Sequence, residues 1–351
     1  MGNEDSVTDT AAKRREWFNA RHAVAAIVLV YVPMLPALLL NPLGLKAAIG
    51  PFLFGAMASM LAAIIIRPTF ALAVAGLVAL FNFAAIPASS SVIGAGVVMG
   101  LAALVYGITA RRGISTVLMI GPTSVAFTLA NPPVVFQGGS TLANAAVVGV
   151  TALAGGLWGV LVGAVLRRKS ALPAPSGVPL NVAVKFAVII AIVSAVTMAV
   201  VVAMQLQHSG AWIVLTVILL IQPDFHTTWQ RTGHRIIGTL LGFGIALAIG
   251  LIVREASIDL LIGMLLLTIA VYLKMDSDRP YWQFVTFLTP GIVLAEGAGE
   301  RVLATDVARL WSTLVGGAIA IAVLVVAKML VKDSDPSAGS VRGPGSGERE
   351  G

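Results

Sequence analysis

The chain has 351 residues, of which 58% are hydrophobic and 11% charged, and its formal net charge is +7. Soluble globular domains are about half apolar and about a quarter charged, so this composition excludes a soluble fold that hides its apolar surface from water. In lipid, backbone amides must be bonded internally, which leaves helices or closed barrels. The stretches 22–40 and 236–253 are apolar without alternation, which excludes barrel strands.

The positive charge does not indicate nucleic-acid binding. The basic residues form short clusters between apolar runs, such as Arg111-Arg112 and Arg167-Arg168-Lys169, and not a patch interleaved with aromatic residues. Cations in these places are what membrane topology requires. We therefore expect the lipid bilayer, and no nucleic acid, as the partner of this chain.

Twelve apolar segments follow along the chain and predict an all-α polytopic membrane protein. The first six lie at about 22–40, 47–66, 69–87, 90–110, 114–131 and 140–166. The second six lie at about 182–206, 209–222, 236–253, 257–274, 281–296 and 305–331. This predicts a tail at 1–21, a first six-helix block at 22–166, a linker at 167–181, a second six-helix block at 182–332 and a disordered tail at 333–351.

The distribution of basic residues predicts the orientation. If the N-terminus is in the cytoplasm and the chain crosses the membrane twelve times, only Lys46, Arg254 and Arg301 lie in outer loops. Nearly all other Lys and Arg residues then lie inside, as the positive-inside rule requires. We expect a multi-pass protein of the inner (plasma) membrane with both termini in the cytoplasm.

An even number of spans in each half gives two parallel repeats that run in the same direction. Two proline-containing dipeptides of the first half have a counterpart about half the chain further on, which supports a duplication. Arg67-Pro68 corresponds to Gln222-Pro223, and Gly121-Pro122 corresponds to Thr289-Pro290.

Interrupted helices at matching positions of two repeats point to a transport site. Pro51, Pro122 and Pro290 are the candidate helix breaks, and the segment 210–221 gives only about 18 Å of helix. The alternative is that these prolines only bend helices for packing.

The densest polar cluster runs from Gln222 to Arg235. Asp224 can cap a helix, and Arg231 and Arg235 are four residues apart, so both can share one helix face. This pair could collect organic anions at a cytoplasmic vestibule. The alternative is an ordinary positively charged loop.

The same stretch resembles the fusaric acid resistance protein-like family, also called the aromatic acid exporter family. The likeness rests on a Trp, a Thr four residues on, Gln-Pro, a Thr, and an Arg before Arg-x-x-Gly-Thr-x-x-Gly. In this sequence the matching residues are Trp212, Thr216, Gln222, Pro223, Thr228, Arg231, Arg235, Gly238, Thr239 and Gly242.

The resemblance implies an integral-membrane transporter for proton-driven efflux of aromatic carboxylates or other toxic organic acids. It makes Trp212, Thr216, Gln222, Arg235 and Thr239 candidates for contact with a small organic anion. A homo-oligomer or a periplasmic adaptor would be the protein partner. Many family members carry a large cytoplasmic domain after each six-helix block, whereas the linker here is short.

One further charged pair lies inside the last segment. Arg309 follows Asp306 by three residues, on the same face of the predicted helix. A charge within the membrane is a functional candidate by default. Alternatively, Arg309 extends to the interface or pairs with Asp306.

The sequence carries no enzyme signature: no metal-ligand spacing, phosphate-binding loop or nucleophile motif is present. We expect no catalytic, cofactor or metal site. The repeats Gly155-x-x-x-Gly159-x-x-x-Gly163 and Gly238-x-x-x-Gly242 indicate close helix packing and no chemistry. Two functional alternatives to a secondary transporter are a membrane scaffold or assembly protein that moves no solute, and a passive channel.

Overall fold

The computed structural model describes residues 20–167, 177–223, 225–253, 255–276, 279–296 and 302–332. Within these ranges the chain is helical and contains no β-strand. The helices are α1 (Ala20–Tyr31), α2 (Ile49–Ile65), α3 (Pro68–Ala88), α4 (Val92–Ile108), α5 (Ser115–Leu118), α6 (Ile120–Ala130), α7 (Thr141–Arg167), α8 (Leu180–Ala203), α9 (Gln207–Leu220), α10 (Phe225–Ile252), α11 (Ala256–Met275), α12 (Tyr281–Glu296) and α13 (Val302–Lys332).

The chain is a multi-pass membrane protein. In its described part, eight helical stretches are long and apolar enough to cross a bilayer: His22–Leu39, Lys46–Ile65, Pro68–Ala88, Val92–Arg112, Thr141–Arg167, Leu180–Ala203, Thr228–Ile252 and Ser257–Met275. Four further apolar stretches are shorter, namely Ile120–Ala130, Ser209–Leu220, Tyr281–Ala295 and Leu310–Val323. The all-α membrane class is confirmed, and the twelve spans and two repeats stay predictions.

The three prolines predicted to break helices behave differently. Pro51 is the third residue of α2, where an amide proton has no helical acceptor, and the 3₁₀ turn Lys46–Ala48 precedes this helix, so the break at Pro51 stays a prediction. Pro122 is the third residue of α6, and the segment is divided just before it, between α5 and α6. Pro290 lies inside α12, which continues through it.

Helix α10 begins at Phe225, well before the apolar run predicted from 236 onwards. Hydropathy alone does not detect its first turns, because these carry Thr228, Arg231 and other polar side chains. The turn before α10 is held by the backbone amide of Gln222, which donates to Thr228 Oγ1 at 2.9 Å. Arg231 and Arg235 therefore lie on a helix and not in a loop.

Small residues bring the helices of the first half together. Helix α7 packs on α2, where a Cβ atom at Gly155, Gly159 or Gly163 would overlap the α2 backbone. Asn82 of α3 is buried and bonded to α6: Thr128 Oγ1 donates to its Oδ1 at 2.6 Å, and its Nδ2 lies 2.9 Å from Ser124 Oγ. The packing role predicted for the glycine repeat is confirmed.

The largest apolar core joins the two halves of the chain. Helix α4 packs on α8, and α6 packs on α9. Fully buried side chains at this junction include Met99, Leu129, Ile190, Met198 and Ile218. The second half is organised around α12 and α13, both of which pack against α10.

Candidate transport site

Four helices of the second half converge on one small cavity. Its lining residues are Trp212 and Thr216 of α9, Arg235 and Thr239 of α10, Thr289 of α12 and Thr313 of α13. Arg235 lies about 15 Å along α10, Thr289 about 12 Å along α12 and Thr313 about 17 Å along α13. The cavity is therefore near the middle of its helices and not at a loop.

Arg235 is the charged group of this cavity and is only 6% exposed. Its Nη1 donates to Tyr281 Oη at 3.5 Å, the long limit of a hydrogen bond. Its Nε is buried without a hydrogen-bond acceptor, and no carboxylate of the described residues forms an ion pair with it. A buried cation without a counter-charge is costly, so this cavity favours an anion.

Hydroxyl groups make up most of the remaining polar surface. Thr216, Thr239, Thr289 and Thr313 are each at most 5% exposed. Thr216 Oγ1 donates its proton to the carbonyl of Trp212 at 2.8 Å, so this hydroxyl can accept a further hydrogen bond but cannot donate one to a carboxylate. The partners of a carboxylate in this cavity would be Arg235 and the other threonine hydroxyls.

An aromatic wall closes one side of the cavity. The ring of Trp212 contacts Phe127 of α6 edge to face, with ring centroids 4.7 Å apart. Phe127 in turn lies 5.5 Å from Phe54 of α2. These rings connect the site to the first half of the chain and give it an apolar face beside its charged one.

Two glycines of α10 let α12 approach the site closely. A Cβ at Gly242 would lie 2.8 Å from Thr289 Cβ and 2.9 Å from Pro290 Cδ. Because Pro290 has no amide proton, it also leaves the carbonyl of Thr286 without its helical donor. The Thr286 carbonyl oxygen would lie 2.9 Å from a Cβ at Gly242. This carbonyl, which lacks its helical donor, therefore faces α10.

The cavity is closed in this conformation. Its internal space is about 10 Å³, close to what one water molecule needs. An aromatic acid does not fit without movement of the surrounding helices. The cavity is therefore closed to a ligand of that size in this structure.

The family motif is brought together only in part. Trp212, Thr216, Arg235 and Thr239 line the cavity, whereas Arg231 lies one turn before Arg235 and is half-buried outside it. Gln222 has a structural place: its Nε2 donates to the carbonyls of Leu219 and Ile221, both at 3.1 Å, at the end of α9.

Three of the predicted residues lie outside what the structure describes. Asp224 falls between two described ranges, and Asp306 and Arg309 belong to α13 without described side chains. Along the helix, Arg309 precedes Thr313 by one turn.

Sequence reasoning missed Thr313, Tyr281 and Asp259. Thr313 lies in an apolar run with no distinguishing neighbour, and Tyr281 is the first residue of a predicted segment without other functional signals. Asp259 is completely buried in the first turn of α11. An acidic residue within the apolar run Ser257–Met275 was a signal available in the sequence.

Comparison with known proteins supports the resemblance. Residues 195–323 match the family described as fusaric acid resistance protein-like, which confirms the predicted family. An uncharacterized protein of Synechocystis is 32% identical over 116 residues, and an uncharacterized protein of Haemophilus influenzae is 31% identical over 112 residues. These matches cover 32% and 31% of this chain but 15% of either relative. No solved structure matches the chain significantly.

Proposed function

Since its residues 195–323 belong to the fusaric acid resistance protein-like family, we propose that this chain is a secondary transporter of the inner membrane. Its cargo is an aromatic carboxylate or another toxic organic acid, exported at the expense of the proton gradient. Both termini lie in the cytoplasm, and the protein is not an enzyme. A homo-oligomer or a periplasmic adaptor completes the export path.

The observation that carries this proposal is the environment of Arg235. A guanidinium is buried at mid-helix, with an unbonded Nε and no acidic partner in the described chain, so a carboxylate that enters when the helices move apart would balance its charge. Four threonine hydroxyls and the ring of Trp212 surround it. An organic acid with an aromatic body offers both the charge and the apolar surface that these groups complement.

Equivalent helix pairs support the two-repeat plan. The second and sixth segments pack together in each half (α2 with α7, α9 with α13), and so do the third and sixth (α3 with α7, α10 with α13). Two adjacent glycines occur at the contact in each half, Gly155-Gly156 and Gly316-Gly317. In such repeats, movement of one half against the other exposes a central site to either side of the membrane.

Proton coupling requires a group that holds a proton within the membrane. Among the described residues, Asp259 is the acid that is completely buried, and it lies on the candidate span of α11. Substitution of this residue therefore tests the coupling: Asp259→Asn should abolish uptake driven by a pH gradient while exchange of labelled for unlabelled substrate continues.

Flux of 2-naphthoate into proteoliposomes under an imposed pH gradient tests the proposal. Wild type should show gradient-dependent flux, and Arg235→Ala should reduce it at least tenfold, because one charge-assisted hydrogen-bonded contact is worth a factor of that order. Lys185→Ala is the matched control, since it removes an exposed cation of α8 and should retain wild-type flux.

The alternatives give other results. Flux that ignores the pH gradient would indicate a passive channel. Absence of flux for every aromatic acid, with the protein correctly inserted, would indicate a scaffold. Wild-type flux in Arg235→Ala would remove the proposed site from the mechanism.

A further inference from the structure

A second and much larger cavity opens between α1, α11 and α12. It is a groove of about 560 Å³, within the range of small-molecule sites. Its walls include Ala23 and Ile27 of α1, Tyr272 of α11, Trp282 and Phe287 of α12, and Arg279 of the turn between α11 and α12.

This groove is separate from the central cavity because α12 stands between them. Trp282 and Phe287 face the groove, whereas Thr289 lines the central cavity. On the other side of α12, a Cβ at Gly238 would lie 2.6 Å from Val285 Cβ and 2.7 Å from the Trp282 carbonyl. The contact between α10 and α12 therefore leaves no passage between the two spaces.

The groove combines flat apolar walls with nitrogen donors. Tyr272, Trp282 and Phe287 give three aromatic rings, and Arg279 and Gln283 carry N–H groups at its edge. Arg279 lies 5.9 Å from the centre of the Tyr272 ring and donates its Nε to Asp276 at 2.9 Å. A guanidinium has five N–H donors, so a carboxylate can be added to this contact.

We propose that this groove is a second ligand site, which takes an aromatic carboxylate with its ring between Tyr272 and Trp282 and its acid group at Arg279. The class of ligand rests on the proposed function, whereas the existence of the site rests on the groove itself. A lipid chain would need only an aliphatic wall, and the aromatic rings and donors fit a flat aromatic acid better. With the predicted orientation, the site opens at the cytoplasmic end of α11 and α12.

Equilibrium dialysis of radiolabelled 2-naphthoate against the purified full-length protein tests the site. Wild type should bind two molecules per chain and Arg235→Ala one, because the groove survives the loss of the central cation. Adding Ala23→Trp to Arg235→Ala fills the groove and should remove the remaining site. Val24→Trp in the same background is the matched control, since Val24 is the next residue of α1 and 61% exposed.

A second variant keeps the test decisive if Ala23→Trp fails to fold. Arg279→Gln should weaken binding of 2-naphthoate about tenfold and leave that of the neutral 2-naphthamide unchanged. Equal binding by the Ala23→Trp and Val24→Trp proteins would overturn the proposal. So would quenching by phospholipids with brominated chains, unaffected by 2-naphthoate, of Trp282 emission, measured as the difference between wild type and Trp282→Phe because the chain has six tryptophans.

The two proposals fail separately. Normal flux in Arg235→Ala with the groove site intact would remove the central site alone. Loss of flux in Arg235→Ala, with no binding attributable to the groove, would remove the second site alone.

Discussion

Arg235, the cation of the proposed site, should lower the stability of the substrate-free protein. Without an anion, its guanidinium is buried and incompletely bonded. Arg235→Leu should therefore raise the free energy of unfolding of the substrate-free protein by about 1 kcal/mol or more, because an apolar side chain replaces a desolvated charge. Unfolding of the purified variants in detergent measures this effect.

The same unfolding measurement can be made in the presence of ligand. Added 2-naphthoate should stabilise wild type and leave Arg235→Leu unaffected, since binding to the folded state alone adds to its stability. Lys185→Leu, which changes an exposed cation, is the control. A variant less stable than wild type would show that Arg235 has a structural role.

Asn82 is the contrasting polar residue, because its hydrogen bonds are satisfied within the protein. Its Nδ2 donates to the carbonyl of Val78 at 2.8 Å, and its other contacts are with Ser124 and Thr128. Asn82→Leu should lower the free energy of unfolding by about 1–3 kcal/mol, as it leaves buried hydroxyls without their partner. Transport per folded molecule should remain at the wild-type level, and a strong loss of substrate affinity would contradict this assignment.

The residues of the site could be predicted where the family motif includes them: Trp212, Thr216, Arg235 and Thr239 entered the prediction through that resemblance. Their four-residue spacings then place each pair on one face of its helix. Thr289 and Thr313 enter the site only because α12 and α13 pack with one particular face against α10. Nothing in the local pattern around Thr313 fixes that face, since it depends on contacts with distant helices.

At the scale of the elements, the contact between α10 and α12 depends on two glycines, and Gly242 is the one beside the site. Any side chain at Gly242 would meet Thr289 and Pro290 at less than 3.0 Å, whereas a Cβ at Gly244 has open space around it. Gly242→Ala should push α12 away and abolish substrate binding. Gly244→Ala on the same helix should be neutral, or stabilising by about 1 kcal/mol, because alanine is the better helix former.

Binding of 2-naphthoate and thermal unfolding, measured on both glycine variants, check this expectation. Equal behaviour of the two variants would mean that the α10–α12 contact is soft and unimportant for the site.

Element boundaries could be predicted from hydropathy only where the ends of a helix are apolar. The range 281–296 agrees with α12 throughout, whereas the start of α10 was placed too late. Its first turns are polar because they lie against other protein segments or at the membrane surface, and a hydropathy pattern does not distinguish such a helix from a loop. A proline in the first turn of a helix, as Pro51 is in α2, removes no helical hydrogen bond, so the residue type alone does not establish a break.

For the whole molecule, the two-repeat plan makes a prediction about loops that correspond in the two halves. Ser90 and Glu255 follow the third segment of each half, and Arg111 and Pro280 follow the fourth; all four residues are exposed. Parallel repeats place Ser90 and Glu255 on the outer side, and Arg111 and Pro280 in the cytoplasm. Inverted repeats would place the members of each pair on opposite sides.

Because the chain contains no cysteine, single cysteines at these four positions report the topology directly. In spheroplasts, a membrane-impermeant maleimide should label Ser90→Cys and Glu255→Cys at once, and Arg111→Cys and Pro280→Cys only after permeabilisation. A short helix such as α6 or α9 that did not cross the bilayer would reverse the side of later loops, so the pairs would disagree. Agreement within both pairs would support parallel repeats and would mean that α6 and α9 both cross the bilayer or that neither does.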